Sequence, residues 1–138
     1  MIQKFKSMKV SEIMTRPVVC TNADISAQDI LTKLEASHFS GMPVIDDNSI
    51  IGIVSESDIL QLFLQGKNLN STLAHEFMTR KVITATSDSL ALSAIKAFID
   101  NQILRLPITH QGKLVGIVTR HDLLKCITSA IPEFSLIP

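Results

Sequence analysis

Residues 52–58 read Gly-Ile-Val-Ser-Glu-Ser-Asp, and residues 116–122 read Gly-Ile-Val-Thr-Arg-His-Asp. In each stretch a β-branched apolar run leads into a hydroxyl residue, and Asp follows three positions later. β-branched residues favour strands. A hydroxyl residue three positions before a carboxylate is typical of the capping box that opens a helix. Each stretch therefore predicts a strand that passes directly into a helix.

The two stretches belong to a repeat that runs through most of the chain at a constant offset of 64 residues. Met14-Thr15-Arg16 recurs as Met78-Thr79-Arg80, and Pro43 recurs as Pro107. No gap is needed to keep further matches in register, among them Asp24 with Asp88 and Ala27 with Ala91. Self-similarity at a fixed spacing indicates that one structural unit has been duplicated.

Each copy predicts the element order strand, helix, strand, strand, helix. Short β-branched runs predict strands, and apolar residues at i, i+3, i+4 and i+7 predict one face of a helix. Ser26 is a candidate cap for the first helix, and the Pro in each hairpin predicts a strand end or a sheet edge. The predicted elements are strands at 18–21 and 82–85, helices from 27 and 91, hairpin strands at 42–45, 50–54, 106–109 and 114–118, and final helices at 58–65 and 122–129.

Composition and charge exclude several classes of protein. Thirteen basic residues balance thirteen acidic ones, so the chain lacks the positive charge of a non-specific nucleic-acid binder or of a membrane-surface protein. No apolar stretch reaches the roughly 18 residues of a membrane span. The first six residues have no apolar run behind them and do not resemble a signal peptide. We therefore expect a cytoplasmic protein without nucleic-acid binding or membrane insertion.

The chain shows no pattern of a catalytic or metal site. Cys20 and Cys126 lie far apart, and we expect both to be reduced core residues. The four histidines lack metal-ligand spacing and are expected on the surface or in loops: His38, His75, His110 and His121. There is no Gly-rich phosphate loop and no nucleophile constellation. The sequence predicts neither an enzyme nor a metal protein.

Taken together, the element order, the Met-Thr pair, the apolar-Pro-apolar step and the Gly-Ile-Val-[Ser/Thr]-x-x-Asp ending resemble the cystathionine-β-synthase (CBS) domain. The resemblance covers about residues 7–128 and places CBS domain 1 at 7–66 and CBS domain 2 at 71–130. It implies a mixed α/β (α+β) fold, in which two βαββα units pack with pseudo-twofold symmetry. Two such domains in tandem form a Bateman module, and this chain looks like a stand-alone one.

The resemblance also implies a function. Paired CBS domains bind adenosyl compounds such as AMP, ADP, ATP or S-adenosylmethionine in clefts between the two units, and they regulate an attached or separate enzyme, channel or transporter. A regulatory, ligand-sensing module is therefore expected. The alternative is a structural or protein-interaction dimer that binds no nucleotide.

By the same resemblance, each cleft takes residues from both copies. An Asp would accept hydrogen bonds from the ribose hydroxyls, a Val would line the adenine, and a basic residue would meet phosphate. One cleft would hold Ser55, Asp58, Lys81, Val82 and Arg105. The other would hold Thr119, Asp122, Pro17, Val18, Gly41 and Arg120. The cleft of Asp58 and Arg105 ranks slightly ahead. Capping alone is the other interpretation of the two carboxylates, and a solvated surface charge is the other interpretation of Arg105.

The final helices carry more apolar residues than one buried face requires. They are Ile59, Leu60, Leu62, Phe63 and Leu64 in the first copy, and Leu123, Leu124 and Ile127 in the second. Surplus apolar surface on a helix is typical of an interface. We therefore predict a homodimer, to which the apolar tail at 131–138 adds contact.

Overall fold

A computed structural model describes residues 6–130 of the chain. They fold into two compact units: a middle unit, Val19–Val82, and a terminal unit made of the described parts of Met1–Val18 and Ile83–Pro138. Both units mix helices and strands, as predicted. The helices are α1 (Ala27–Ser37), α2 (Glu56–Leu64), α3 (Ala74–Phe77), α4 (Ala91–Asn101) and α5 (Arg120–Ala130), and Val10–Glu12 forms a 3₁₀ turn. The strands are β1 (Gly41–Asp46), β2 (Ser49–Ser55), β3 (Ala85–Thr86), β4 (Arg105–His110) and β5 (Lys113–Thr119).

The middle unit packs α1 and α2 against the β1–β2 hairpin. Its core is aliphatic, as the composition requires, and consists of Ala27, Ile30, Leu34, Met42, Val44, Val54, Ile59, Leu62, Ala74 and Met78. The predicted apolar face of α1 is confirmed, since Ala27, Ile30 and Leu34 are all buried. Ser26 caps this helix, because its Oγ accepts a hydrogen bond of 3.1 Å from the backbone N–H of Asp29.

The terminal unit contains a three-stranded sheet in the order β3-β4-β5, with β3 parallel and β5 antiparallel to β4. Its main core cluster is Val10, Ala94, Phe98, Leu106, Ile108, Val118 and Leu123. Val10 is the member from the N-terminal segment, and its exposed fraction is 0%. Residues near the start of the chain therefore complete the core of the second copy.

Both hairpins close through two-residue turns, which are tighter than the four-residue turns predicted from sequence. The turn residues are Asp47 and Asn48 in one hairpin, and Gln111 and Gly112 in the other, and all four have positive φ. Two consecutive positive φ angles belong to the type I′ turn, whose twist matches that of the flanking strands. The strands therefore extend one residue further into each turn than predicted.

The predicted first strands are mostly not strands. From 18–21, only Thr21 pairs, through backbone hydrogen bonds of 3.0 Å to Pro43 and 2.8 Å from Ile45. In the second copy Ala85, the counterpart of Thr21, pairs with β4 in the same way, and Thr86 extends the pairing by one residue. The β-branched run predicted a longer strand, but β-propensity depends on a neighbouring strand with which to pair.

Pro107 does not lie at a sheet edge, because β4 is the central strand of its sheet. Pro107 is paired in register with Ile117, but the backbone N–H and C=O of Ile117 are bonded to Thr15 instead. Pairing with β3 begins only at Ile108. The missing N–H of proline therefore removes no ladder hydrogen bond, and the usual restriction of Pro to edges does not apply.

The Met-Thr segment of each copy packs on the hairpin of the other copy. Thr15 exchanges backbone hydrogen bonds of 2.8 and 3.0 Å with Ile117, and Thr79 exchanges two of 2.9 Å with Ile53. A Cβ added to Gly52 would lie 2.6 Å from Sδ of Met78, and Gly116 meets Met14 in the same way. Each Gly therefore permits the close approach of a Met from the other copy.

Candidate functional site

The junction of β2 and α2 forms the predicted capping box. The backbone N–H of Asp58 donates to Oγ of Ser55 over 3.3 Å. Oδ2 of Asp58 accepts from the backbone N–H of Ser55 at 2.8 Å and from its hydroxyl at 3.1 Å. Asp58 is half-buried. The carboxylate is therefore held in one orientation at the first turn of a helix, where a negative charge is stabilised.

The junction of β5 and α5 repeats this geometry. The backbone N–H of Asp122 donates to Oγ1 of Thr119 over 3.3 Å. Oδ2 of Asp122 accepts from the backbone N–H of Thr119 at 2.9 Å and from its hydroxyl at 3.1 Å. Asp122 is also half-buried. Capping by both hydroxyl–carboxylate pairs, predicted from sequence, is thus confirmed.

The two carboxylates differ in one contact. The hydroxyl of Thr15 donates to Asp122, at 3.0 Å from Oδ1 and 3.1 Å from Oδ2. Thr79 is the repeat counterpart of Thr15, but among residues 6–130 only Ser55 donates hydrogen bonds to Asp58. Oδ1 of Asp58 therefore accepts no hydrogen bond from the described part of the chain, whereas both oxygens of Asp122 are occupied.

An open cavity lies beside each carboxylate, within a single unit. The cavity at Asp58 has a volume of about 340 Å³ and is lined by Asp58, Gln61, Leu62, Gln65, Lys67, Thr72, Glu76 and Phe77. The cavity at Asp122 has a volume of about 450 Å³ and is lined by Met8, Glu12, Ile13, Met14, Thr15, Asp122, Lys125, Cys126 and Ser129. Most of these positions correspond at the offset of 64, so the two cavities are counterparts.

The other predicted site residues are divided between the units. In the middle unit, Lys81 is exposed, Val82 is half-buried, and buried Gly41 pairs in register with Ser55. In the terminal unit, half-buried Arg105 pairs in register with Thr119. Pro17 and Arg120 are exposed there, and Val18 is half-buried. The geometry brings Ser55 together with Asp58, and Thr119 with Asp122. The wider groupings, which take residues from both units, remain predictions.

Thr15 is the site residue that sequence reasoning missed. It belongs to the repeated Met-Thr pair, which indicated the duplication but not a contact. The signal was the recurrence of a hydroxyl residue at 15 and 79. Nothing in that recurrence shows that position 15 reaches Asp122, 107 positions further along the chain.

The remaining reactive groups lie apart from the junctions or are protected. Burial and the nearby Glu12 carboxylate raise the pKa of the Cys126 thiol, and its sulfur lies 3.1 Å from Sδ of Met8. Cys20 is only half-buried and belongs to no core cluster, unlike the prediction that both cysteines are core residues. All four histidines are exposed, as predicted. Within the described range, no three His, Cys, Asp or Glu side chains cluster as metal ligands would.

Helix length and hydropathy bear on the membrane prediction. None of the helices in residues 6–130 has both the length and the apolar character needed to cross a bilayer.

Comparisons with known proteins identify the repeat. The family model of the CBS domain matches twice, at residues 10–65 and 74–129. The uncharacterized protein MK0525 of Methanopyrus kandleri is 32% identical over 123 residues, which cover 87% of this chain and 63% of that protein. MJ1426 of Methanocaldococcus jannaschii is 32% identical over 154 residues, which cover 87% of this chain and 91% of that protein. The chain thus spans less than two thirds of the first relative and most of the second.

Solved structures agree with the sequence match. The CBS domain pair of MJ0100, solved in complex with 5′-methylthioadenosine and S-adenosyl-L-methionine, superposes with a TM-score of 0.79 at 25% identity, covering 89% of this chain and 98% of that one. CBSX2 in complex with AMP gives a TM-score of 0.78 at 25% identity, with the same coverage. Because the two family matches account for most of the sequence, the chain belongs to the CBS domain family and is a tandem pair of CBS domains.

Proposed function

We propose that the chain is a regulatory module that binds an adenosyl compound, namely AMP, ADP, ATP or S-adenosylmethionine, through the carboxylate of Asp58. One observation carries this proposal. Oδ2 of Asp58 is fixed by Ser55, while Oδ1 accepts no hydrogen bond from the described residues. An oriented carboxylate with free lone pairs can accept hydrogen bonds from the two neighbouring hydroxyls of a ribose, and such charged hydrogen bonds are the stronger kind.

The relatives support the class of ligand. MJ0100 and CBSX2 carry 5′-methylthioadenosine, S-adenosyl-L-methionine or AMP, and all of these contain an adenosine moiety. Their shared ribose diol is the group that Asp58 is suited to recognise. The ligands differ beyond the ribose, so the choice among them depends on what meets the phosphate or the sulfonium.

Basic residues are the candidates for the phosphate of a nucleotide. Lys81 lies in the same unit as Asp58 and is exposed. Arg105 and Arg120 lie in the terminal unit. A role for Arg105 at the Asp58 site, in a cleft between the two CBS units, follows from the family resemblance alone. Arg105→Ala should weaken AMP more than adenosine if its guanidinium binds phosphate, because only AMP carries that group.

Regulation, rather than catalysis, is the output that we propose. A ligand changes the conformation of a protein only as far as it binds one state better than another. A site at the first turn of α2, beside a cavity that Glu76 and Phe77 of α3 also line, suits such a change. The regulated partner is proposed to be an enzyme or transporter, and the proposed location is the cytoplasm.

A structural or protein-interaction module is the second candidate, and the helix surfaces favour it as well. Leu60, Phe63 and Leu64 of α2 are 68%, 75% and 87% exposed, whereas Ile59 and Leu62 of the same helix are buried. On the terminal unit, an apolar cavity of about 300 Å³ is lined by Ile95, Phe98, Ile99, Ile103, Arg120, Leu123, Leu124 and Ile127. Apolar surface of this extent is typical of protein contacts.

We propose a homodimer that buries these helix faces. Light scattering at micromolar concentration should give twice the mass of the 138-residue chain. The double variant Leu60→Glu/Phe63→Glu should shift the mass toward monomer, whereas Gln61→Glu on the same helix should not. A monomeric wild-type protein would count against the dimer. The part of this prediction that concerns the tail at 131–138 lies outside the described residues.

Calorimetric titration with adenosine, AMP, ATP and S-adenosylmethionine tests the proposed function. We expect saturable binding of at least one of them, and loss of that binding in Asp58→Asn, which keeps the shape of the cap but not its charge. Asp29→Asn is the matched control, since it removes a carboxylate from the first turn of α1 instead. No binding of any of the four ligands would leave the interaction module as the better account.

A further inference from the structure

The two capped carboxylates are not equivalent as acceptors, and the difference reduces to one side chain. Asp122 accepts from Thr119 and from Thr15, whereas Asp58 accepts from Ser55 alone within residues 6–130. We propose that Thr15 reserves the Asp122 carboxylate, so that the chain has one adenosyl site, at Asp58, instead of two. This inference rests on the proposed function and names the residue that makes the two copies unequal.

The acceptor positions of the Asp122 carboxylate are largely taken by hydrogen bonds from within the chain. A carboxylate offers about four acceptor positions. At Asp122, Oδ2 accepts from the Thr119 backbone N–H, from the Thr119 hydroxyl and from the shared Thr15 hydroxyl, and Oδ1 accepts from the same Thr15 hydroxyl. The Thr15 side chain thus lies across the edge that bridges both oxygens. A ribose diol needs that edge, and it must displace Thr15 to reach it.

The backbone holds Thr15 in place. Its N–H and C=O are both bonded to Ile117, at 2.8 and 3.0 Å, and Met14 beside it packs on Gly116. Because β5 fixes the backbone, the Thr15 hydroxyl can leave Asp122 only if its side chain rotates about the Cα–Cβ bond. Losing a hydrogen bond to a charged group weakens a competing ligand by roughly 10- to 150-fold.

The other copy has the same backbone arrangement around Thr79, but not the side-chain contact. Thr79 is held by the same pair of backbone hydrogen bonds, both of 2.9 Å, to Ile53. Its side chain is exposed, and it makes no hydrogen bond to Asp58 in the described range. The backbone arrangement is therefore shared, and the orientation of one hydroxyl distinguishes a closed carboxylate from an open one.

Titration calorimetry with AMP and, in a parallel series, with S-adenosylmethionine tests the proposal through stoichiometry, since both ligands carry the ribose diol. The wild-type chain should bind one molecule. Thr15→Val, which keeps the shape of the side chain but removes its donor, should open a second site and raise the stoichiometry to two. Thr79→Val is the matched control and should leave it at one. Thr15→Ser, which keeps the hydroxyl, should also bind one molecule.

The possible outcomes distinguish a failure of the role of Thr15 from a failure of adenosyl binding itself. Two sites in the wild type, one of them lost in Asp122→Asn, would overturn the role of Thr15 while leaving adenosyl binding intact. A single site in Thr15→Val would also overturn it, provided that the amide resonances of Thr119 and Ile117 show a folded unit. Absence of binding in both wild type and Thr15→Val, with either ligand, would overturn the proposed function itself.

Discussion

The junction at Asp58 and the junction at Asp122 are built from the same motif, and they differ in what comes to them from elsewhere in the chain. Each closes a helix N-terminus with a hydroxyl and a carboxylate in closely similar geometry. Only at Asp122 does a residue from a distant segment add a further donor. Duplication therefore reproduces the cap, and we propose that the segment packed against it decides whether the carboxylate stays available for a ligand.

The cavities beside the two junctions also differ in the side chains that line them. Thr72 and Leu62 line the Asp58 cavity. Their counterparts, Met8 and Cys126, line the Asp122 cavity. Gln61 and Gln65 correspond to Lys125 and Ser129, which are also polar, and Lys67 adds a further polar group at Asp58. The Asp58 cavity is thus suited to a hydrated, polar ligand group, and the Asp122 cavity is lined by three sulfur-containing side chains that pack against one another or against the sheet.

The Met-Thr segments, each packed on the hairpin of the other copy, should give the largest difference in stability between the copies. Met78 is 8% exposed, whereas Met14 is only half-buried. Truncating a buried Met to Ala costs about 2–5 kcal/mol, and less where the side chain is partly exposed. We expect Met78→Ala to lower the free energy of unfolding by more than Met14→Ala does, as measured by urea denaturation. Equal losses would mean that the two segments contribute equally.

A smaller difference in stability is expected at the positions predicted as first strands. Thr21 is 5% exposed, and its Oγ1 is buried without a hydrogen-bond partner in the described structure. Its counterpart in the other copy is Ala85. A buried, unsatisfied hydroxyl costs about 1–3 kcal/mol, so Thr21→Val should raise the free energy of unfolding by about 1 kcal/mol or more. A lower melting temperature for this variant would show that the hydroxyl does have a partner.

The Thr15 contact should also register in stability without any ligand. A hydrogen bond to a charged group contributes about 1.5–3 kcal/mol, and the exposed position of Thr15 favours the lower end of that range. Thr15→Val should therefore destabilise the protein by about that amount, while Thr79→Val, at an exposed position without such a bond, should change it by less than about 0.5 kcal/mol. Equal losses of stability in the two variants, measured by thermal or urea denaturation, would contradict the proposed difference between Thr15 and Thr79.

The smallest effect concerns the two cysteines. Burial and the Glu12 carboxylate raise the pKa of Cys126, so less of its thiol is ionised at a given pH, and the thiolate is the reactive form. Cys20 is more accessible. Alkylation with iodoacetamide at pH 8, followed by peptide mass spectrometry, should modify Cys20 first. Cys126 should react appreciably only at a higher pH than an ordinary thiol requires. Faster labelling of Cys126 would indicate that α5 opens readily.

The sequence was sufficient for the local features and insufficient for the long-range ones. The offset of 64, the apolar face of α1 and the Ser55 and Thr119 caps all follow from neighbouring residues. The pairing of Thr15 with Ile117 does not, because it joins segments about a hundred residues apart whose register no local pattern specifies. The prediction of the first strands failed for a related reason: β-propensity reflects packing against neighbouring strands, and a β-branched run does not specify those neighbours.

We propose that Asp58, and not Asp122, receives the ribose of an adenosyl ligand. The most direct test is the dissociation constant of AMP for wild type, Asp58→Asn and Asp122→Asn, measured by calorimetry alongside their unfolding midpoints. Loss of the charged acceptor should weaken AMP by roughly 10- to 150-fold in Asp58→Asn, and Asp122→Asn should bind as wild type does. Unchanged affinity in Asp58→Asn, or an equal loss in both variants of comparable stability, would contradict the claim.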